Sequence, residues 1–215
     1  MINANNHIDK IICFGKNYID HMTELGDEKV EKPVIFLKPG SVVTKCEEWG
    51  DLIDIILEYN HVHYECELIL KLKKGGYRLS LLDAIECMGW YSVGLDLTLR
   101  DIQSKLKKNG HPWTIGKVFP HSAIVGPWVA VNDYEDLLKT QFTLHINDEL
   151  KQHGLVLNML MPIAELVQYA SAHFPLCAGD ILFTGTPKGV GEIPDDATLK
   201  LMLNNQTYTI HTSYK

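Results

Sequence analysis

Short apolar runs, separated by polar or glycine-containing segments, dominate the hydrophobic pattern of this chain. Runs of this length that are rich in β-branched and aromatic residues predict strands. Asn147-Asp148 and Asn204-Asn205 lie between such runs, and these residue types tolerate the positive φ angles of hairpin turns. We predict strands at residues 11–14, 34–37, 66–72, 91–95, 123–131, 141–146, 181–184, 199–203 and 208–211.

Helical patterns are fewer than strand patterns. Residues 97–107 are consistent with a short helix, and residues 162–173 begin with a proline and continue with a helical apolar spacing. The apolar residues at i, i+3, i+4 and i+7 are Ile163, Leu166, Val167 and Ala170. Because strands dominate and do not alternate regularly with helices, we predict a strand-dominated α+β fold. No internal repeat or linker divides the chain, so we expect one domain over residues 1–215.

A run of acids at strand spacing is the first candidate for chemistry. In a strand through residues 61–70, His61, His63, Glu65 and Glu67 share one face, because successive side chains alternate. Two neighbouring carboxylates repel each other and raise each other's pKa. A hard divalent cation removes that repulsion and prefers oxygen ligands. The run therefore indicates either a metal site or the solvated polar face of an edge strand.

The segment 17–32 is crowded with charged residues and has few apolar anchors. This composition is typical of a solvated loop, and we predict a mobile lid here. Within it, His21 and Glu24 are three residues apart, so one helical turn would bring them to the same face. A carboxylate beside an imidazole raises its basicity, which suits a general base, although this spacing also arises by chance.

Two further stretches carry polar groups next to apolar strands. Asp96 ends one such run and Arg100 follows four residues later, an arrangement that suits either a functional site or a structural ion pair. The segment 179–191 is a strand followed by a glycine-rich loop with hydroxyl groups, but it matches neither the P-loop nor the dinucleotide fingerprint. Its glycines suit either a tight turn or close approach to a small anionic group.

Composition limits the classes of function. The formal net charge is -7, from 27 acids against 20 bases, and Arg78 and Arg100 are the only arginines, so we expect no nucleic-acid partner. The five cysteines form no C-x-x-C motif and suggest neither disulfides nor a zinc site. The first residues resemble no secretory signal, and no apolar run reaches membrane-spanning length. We therefore expect a cytoplasmic protein with no membrane association.

Several motifs, taken together, resemble those of the fumarylacetoacetate hydrolase family, in its short single-domain branch of acylpyruvate hydrolases and oxaloacetate decarboxylases. Each motif is modest evidence, but all of them occur in the family's order over most of the chain. They are Gly15–His21 with Pro33–Pro39 after it, His63–Leu68, Gly94–Gln103, Trp113–Lys117 and Gly179–Gly191.

This resemblance implies roles for individual residues. It implies that Glu65, Glu67 and Asp96 hold Mg²⁺ or Mn²⁺. It implies that His21 with Glu24 activates water and that Lys117 contacts the substrate as a catalytic residue. The implied substrate-binding residues are Lys16, Arg100, Gln103, Thr184, Gly185 and Thr186. It further implies a mixed β-sheet roll or partly open barrel with few short helices, and a homodimer.

The implied activity is metal-dependent hydrolysis of a C–C bond in a β-diketo acid such as an acylpyruvate, releasing pyruvate and a carboxylic acid. The same site could instead decarboxylate or tautomerise oxaloacetate. A cupin-like metal oxygenase, suggested by His61-x-His63-x-Glu65, and a non-catalytic binding protein are further alternatives. The chain also departs from the family: Lys16 replaces a frequent arginine, and 155–159 lacks the usual hydroxyl-rich stretch, which puts the substrate in doubt.

Overall fold

The computed structural model describes residues 8–18 and 32–215 of the chain, and strands dominate this part. The strands are β1 (Lys10–Gly15), β2 (Val34–Pro39), β3 (Val43–Lys45), β4 (Leu52–Leu57), β5 (Val62–Tyr64), β6 (Cys66–Leu72), β7 (Met88–Asp96), β8 (Thr98–Leu99), β9 (Ala123–Val125), β10 (Val129–Ala130), β11 (Gln141–Ile146), β12 (Glu149–Leu155), β13 (Ile181–Phe183), β14 (Gly191–Glu192), β15 (Ala197–Leu203) and β16 (Gln206–Tyr214). The α-helices are α1 (Leu81–Cys87), α2 (Arg100–Lys108), α3 (Thr114–Lys117), α4 (Tyr134–Leu138) and α5 (Ile163–His173).

The largest sheet is mixed and strongly curled. Its strands follow the order β2-β1-β13-β6-β7-β9-β3, and β10 pairs with β7 outside this path. The β1–β13 and β3–β9 pairs are parallel, whereas the other neighbours are antiparallel. A short 3₁₀ turn, Gly40–Val42, connects β2 and β3 at the two ends of this order. The sheet therefore forms a half-barrel, and the predicted strand-dominated fold is confirmed.

Side chains that alternate along the strands bury both faces of the curled sheet. Ile11, Cys13 and Ile69 belong to one buried apolar cluster. Their chain neighbours Ile12 and Leu68 belong to a second and larger cluster on the other face. This is the two-residue period of a sheet that is covered on both sides.

A second sheet, of five strands in the order β12-β11-β15-β16-β4, packs against the larger cluster. It contributes buried apolar residues such as Leu144, Leu199 and Leu201. The buried Tyr208 hydroxyl donates a hydrogen bond to the Val93 carbonyl across the two layers, at 3.1 Å. A small third sheet, β14-β5-β8, lies next to the carboxyl end of β7.

Both predicted hairpin turns are confirmed. Asn147 and Asp148 have φ angles of 49° and 65° and connect β11 to β12. Asn204 has a φ of 51° between β15 and β16. The side-chain oxygens of Asn147 and Asn204 also accept backbone N–H groups, from Thr198 and Gln141. These short polar side chains therefore stabilise the turns as well as tolerating them.

Three predicted elements need correction. The segment 97–107 begins as strand β8, and the helix starts only at Arg100, because buried Leu99 pairs with β5. The predicted strand 123–131 is interrupted between β9 and β10, where Pro127 has no N–H to donate. The predicted continuous strand 61–70 is two strands in different sheets, with Glu65 at the junction.

Candidate active site

Three carboxylates meet where β5, β6 and β7 approach one another. Glu65 lies at the junction between β5 and β6, Glu67 lies in β6, and Asp96 ends β7. One oxygen from each lies within 4.8 Å of the others. The three residues are only 6%, 2% and 1% exposed. The alternative of a solvated edge-strand face is therefore wrong, since β6 is a central strand.

Strand register brings these acids together. Glu67 pairs directly with Gly94 of β7, and the Asp96 N–H donates to the Glu65 carbonyl at 2.9 Å. A Cβ atom on Gly94 would lie 2.4 Å from the Ile124 carbonyl oxygen, so the neighbouring strand excludes any side chain at this position. The absence of a side chain opposite Glu67 leaves space beside its carboxylate.

Three buried or half-buried cations contact the acids. Lys117 donates hydrogen bonds of 2.8 Å to Glu65 and 2.7 Å to Asp96. Lys38 forms an ion pair with Asp96 at 2.6 Å, and Arg100 donates to Glu65. The sequence suggested an ion pair between Arg100 and Asp96. The structure instead pairs Arg100 with Glu65, and its second bond goes to Gln103 at 2.7 Å.

The protonation of the cluster follows from burial and charge. Burial raises the pKa of the Glu67 carboxyl well above its ordinary value, and the negative charges of Asp96 and Glu65 raise it further. Burial lowers the pKa of Lys117, but attraction to Asp96 and Glu65 outweighs burial and leaves this pKa raised. Burial lowers the pKa of Lys38 despite the opposing charge of Asp96. Repulsion is therefore concentrated on Glu67.

This donor set fits a divalent metal ion. Each acid offers carboxylate oxygens, which are the ligands that Mg²⁺ and Mn²⁺ prefer. The raised pKa of Glu67 also records a repulsion that a dication would relieve. Among the residues that the structure describes, these three acids form the only cluster with metal-ligand spacing.

The loop after β13 is bonded to the same strand. The Gly185 N–H donates to Glu67 at 2.7 Å, and the hydroxyls of Thr184 and Thr186 donate to the Leu68 and Cys66 carbonyls, each at 2.8 Å. Gly185 has a φ of 98°, and a Cβ there would lie 2.8 Å from Asn17 Cβ, so only glycine fits without strain.

The acids form the floor of an open pocket. Of the substrate-binding residues expected from the sequence, Lys16, Arg100, Gln103 and Thr186 line it, whereas Thr184 and Gly185 contact β6 from behind. Lys117 lines it as well. The remaining lining residues were not singled out from the sequence: Phe14, Gly15, Phe36, Lys107 and Trp113.

The model of the fumarylacetoacetate hydrolase C-terminal domain matches residues 10–212. The chain belongs to the fumarylacetoacetate hydrolase family. Oxaloacetate tautomerase YcgM of Escherichia coli K12 is 32% identical over 94% of this chain and 91% of its own length. Human mitochondrial oxaloacetate tautomerase FAHD1 is 36% identical over 86% of this chain and 83% of its own length.

A solved structure of another family member has the same fold. Fumarylpyruvate hydrolase from Pseudomonas aeruginosa, in complex with Mn²⁺ and pyruvate, superposes with a TM-score of 0.88. It is 31% identical, and the match covers 97% of this chain and 91% of that one. The family resemblance inferred from the sequence motifs is therefore confirmed, and the chain is an enzyme of a family whose members include hydrolases, isomerases and tautomerases.

The cupin-like alternative is wrong for this family member. His61 lies against Glu192, 2.9 Å from its carboxylate, and both side chains are exposed. His63 is half-buried, and burial together with the charge of Arg100 lowers its pKa. In the described part of the chain, no histidine joins the three acids within metal-ligand distance.

His21 and Glu24 lie outside the described residues, as does most of the predicted lid. Its first residues are described, and they are anchored: Asn17 donates to the Thr184 carbonyl at 2.9 Å and accepts from the Met161 N–H at 2.8 Å. Tyr18 is also buried and bridges to Met159. These contacts attach the start of the segment directly to the Thr184–Thr186 loop.

Two polar residues of this site were missed from the sequence. Lys38 lies in a strand motif and alternates with the pocket residue Phe36, a signal that could have marked it as inward-facing. Lys107 follows Arg100 and Gln103 at i, i+3 and i+7, so helical spacing alone places the three on one face. No helix in the described part of the chain is long and apolar enough to span a membrane.

Proposed function

We propose that this enzyme hydrolyses a C–C bond in a small β-diketo acid of the acylpyruvate type, with Mg²⁺ or Mn²⁺ held by Glu65, Glu67 and Asp96. The observation that carries the proposal is the buried Glu-Glu-Asp cluster, bridged by Lys117, at the floor of a pocket. A relative with the same fold, fumarylpyruvate hydrolase, has been solved with Mn²⁺ and pyruvate, the product expected here.

The reaction consumes one water. The water oxygen bonds to the acyl carbon distal to the carboxylate, and the bond between that carbon and the adjacent methylene breaks. The methylene carbon keeps the electron pair and then takes a proton, which gives pyruvate and a carboxylic acid. When bound, the metal supplies Lewis acidity that stabilises negative charge on the substrate's oxygens.

The cations at the cluster fix the geometry of the acids. Lys117 contacts both Glu65 and Asp96, and Arg100 contacts Glu65 and Gln103, so the carboxylates are held in place before substrate arrives. Such preorganisation reduces the reorganisation that the reaction would otherwise need. The three cations also balance the three acids, so a dication would leave the pocket positive and attract an anionic substrate.

Recognition of the substrate is assigned to the residues around the pocket mouth. Lys16 and Lys107 line it together with Arg100 and Gln103, and all four can donate to carboxylate or carbonyl oxygens. Phe36 and Trp113 supply an apolar wall, with ring centroids 5.8 Å apart. This combination suits a short carbon chain with an acid group at one or both ends.

Activation of water is assigned to His21, with Glu24 as its orienting carboxylate. This assignment rests on the family motif and on the spacing of the two residues. We propose that the segment after Tyr18, up to Lys32, closes over the pocket and brings His21 to the substrate. The anchoring of Asn17 and Tyr18 next to the Thr184–Thr186 loop supports this position for the hinge.

Tautomerisation or decarboxylation of oxaloacetate is the second candidate. Both curated relatives described above are oxaloacetate tautomerases, with 32% and 36% identity. Like an acylpyruvate, oxaloacetate is an enolisable 2-oxo acid, and tautomerisation moves one proton between carbon and oxygen without consuming water. The same carboxylate cluster and pocket lysines serve either substrate.

The test is an assay of the purified, chelator-treated protein with no metal, with Mg²⁺ and with Mn²⁺. Pyruvate release from acetylpyruvate and fumarylpyruvate measures hydrolysis, and the ultraviolet absorbance of the enol measures oxaloacetate tautomerisation. We expect metal-dependent pyruvate release, and its loss in Glu67→Gln. Full activity in the metal-free protein would contradict the metal's role. Tautomerisation without any hydrolysis would establish the second candidate instead.

A homodimer and a cytoplasmic location remain predictions from the sequence. Leu52 and Ile56, 60% and 57% exposed on edge strand β4, supply an apolar strip that supports an interface. Light scattering coupled to size-exclusion chromatography measures the mass of the assembly. A mass of one chain would contradict the dimer.

A further inference from the structure

Strand β6 loses its neighbour at the position where it carries the metal-binding glutamates. The pairing of β13 with β6 ends at Phe183 and Ile69, because the chain then turns away into the Thr184–Thr186 loop. The backbone groups of Leu68 and Cys66 on this edge therefore have no strand partner. Buried backbone groups without partners are costly, so other groups must satisfy them.

Side chains take the place of the missing strand. The Leu68 carbonyl accepts from Thr184, and the Cys66 carbonyl accepts from the Thr186 hydroxyl. The Cys66 N–H donates to the side-chain oxygen of Gln152 at 2.9 Å. Gln152 is 1% exposed and reaches this edge from β12, which belongs to the other large sheet.

Gln152 closes a ring of hydrogen bonds. Its amide nitrogen donates to the Thr186 hydroxyl oxygen at 2.8 Å and to the Pro187 carbonyl at 2.9 Å. The Thr186 hydroxyl in turn donates to Cys66, the residue that Gln152 also binds. One side chain therefore joins the loop and the strand, and it uses its acceptor and its donors at the same time.

We propose that Gln152 is a positioning residue of the metal centre. Cys66 stands between Glu65 and Glu67, so the bond to its N–H fixes the backbone that sets the spacing of the two carboxylates. Thr186 follows Gly185, whose N–H donates to Glu67. The same amide thus controls the strand that carries the ligands and the loop that orients one of them. The proposal rests on the proposed metal site.

The experiment measures Mn²⁺ affinity by calorimetry and by the electron paramagnetic resonance signal of free Mn²⁺, neither of which depends on substrate. Gln152→Met keeps the length of the side chain and removes its hydrogen bonds. We expect Mn²⁺ affinity to fall roughly 10- to 100-fold, the usual effect of losing a group that orients metal ligands. Unfolding in urea with chelator reports the stability of the same variant.

Ser171→Ala is the matched control. Ser171 is also completely buried, and its hydroxyl accepts the Leu79 N–H at 3.0 Å and donates to the Gln168 carbonyl at 2.7 Å. Its loss also strands a backbone N–H, but none of these contacts involves the acids. We expect this variant to lose stability and to keep wild-type Mn²⁺ affinity.

The outcomes separate the inference from the function on which it rests. Wild-type protein that binds no Mn²⁺ would contradict the metal site and this inference with it. Wild-type binding with unchanged affinity in Gln152→Met, or equal losses in Gln152→Met and Ser171→Ala, would overturn the inference alone. If Gln152→Met fails to fold, Thr186→Val breaks the same ring from the other side, and unchanged Mn²⁺ affinity there would overturn it.

Discussion

The ammonium of Lys38 lies 2.6 Å from a carboxylate oxygen of Asp96, and the two side chains are 0% and 1% exposed. Lys38 also donates to the Leu97 carbonyl at 3.0 Å. A lysine at the centre of a β-sheet structure thus holds the end of β7 and the acid that this strand contributes. Because Lys117 contacts the same acid, Asp96 lies between two buried ammonium groups.

Lys38→Met should destabilise the metal-free protein. Removing one partner of a buried ion pair leaves the other charge desolvated, at a cost of about 3–5 kcal/mol. Lys117 still contacts Asp96, so we expect the lower end, roughly 3 kcal/mol. Urea unfolding in the presence of chelator measures this. Lys139→Met removes an exposed pair with Asp136 and should change stability little, and equal losses in both variants would contradict the structural role of Lys38.

The raised pKa of Glu67 predicts a pH dependence of stability. Since the folded protein holds the Glu67 proton more tightly than the unfolded chain, protonation favours the folded state. In the metal-free protein this contribution is fully present below the ordinary glutamate pKa and is lost as the pH rises through the raised value. Glu67→Gln should remove that part of the decline, which urea unfolding at a series of pH values measures.

Glu149→Gln is the control for this pH series, because Glu149 is an exposed acid that pairs with Lys151. It should keep the wild-type decline. In the presence of Mn²⁺ the dependence should reverse for the wild type, because metal binding requires the Glu67 carboxylate and releases its proton. A wild-type stability curve with the same slope as that of Glu67→Gln would contradict the raised pKa.

Local patterns predicted much of the sheet and the acids of the site. The bounds of β6 and β11 follow directly from their apolar runs, and strand spacing marked Glu65 and Glu67 as neighbours. Strand β4 was missed because only Ile55 and Leu57 on it are buried. Its hydrophobic residues on the outer face disguise the alternation on which strand prediction depends.

The rest of the site depends on contacts between distant parts of the chain. Gln152 meets Cys66 across 86 positions, and Lys38 meets the Leu97 carbonyl across 59. Such contacts are set by sheet order and register, which short-range periodicity does not encode. Glu65 itself was placed correctly among the ligands but in the wrong local structure, because the break between β5 and β6 is imposed by pairing with two different sheets.

Lys107 should contribute to selectivity for substrates with a second carboxylate. It is exposed at the pocket mouth, on the helix face that also presents Arg100 and Gln103. For Lys107→Ala we expect KM to rise roughly tenfold for fumarylpyruvate or oxaloacetate, the equivalent of about 1.4 kcal/mol for one charged hydrogen bond. The KM for acetylpyruvate and the value of kcat should change little. Steady-state kinetics with the three substrates measures the difference.

Lys108→Ala is matched to this variant, since Lys108 occupies the same helical turn but does not line the pocket. It controls for the general loss of positive charge near the site. Equal changes of KM in Lys107→Ala and Lys108→Ala would indicate long-range attraction. Equal changes for substrates with one and with two carboxylates would show that Lys107 does not read the second acid group.

His21→Ala should separate the two candidate chemistries. Hydrolysis of an acylpyruvate needs a base to activate water, and such a group typically contributes about 10²–10⁴-fold to the rate. Decarboxylation of oxaloacetate releases carbon dioxide without attack by water. We therefore expect His21→Ala to reduce hydrolysis by roughly that factor and to reduce decarboxylation far less. The two rates are measured on the same preparation at saturating Mg²⁺, so that weaker metal binding is not mistaken for a lost base.

Glu24→Gln extends this comparison, because it leaves the imidazole in place and removes its orienting carboxylate. It should act in the same direction as His21→Ala but more weakly. His153→Ala, at an exposed position of β12, should leave both rates unchanged. If His21→Ala reduces hydrolysis and decarboxylation equally, His21 serves substrate binding or closure of the pocket, because a water-activating base would affect only the reaction that consumes water.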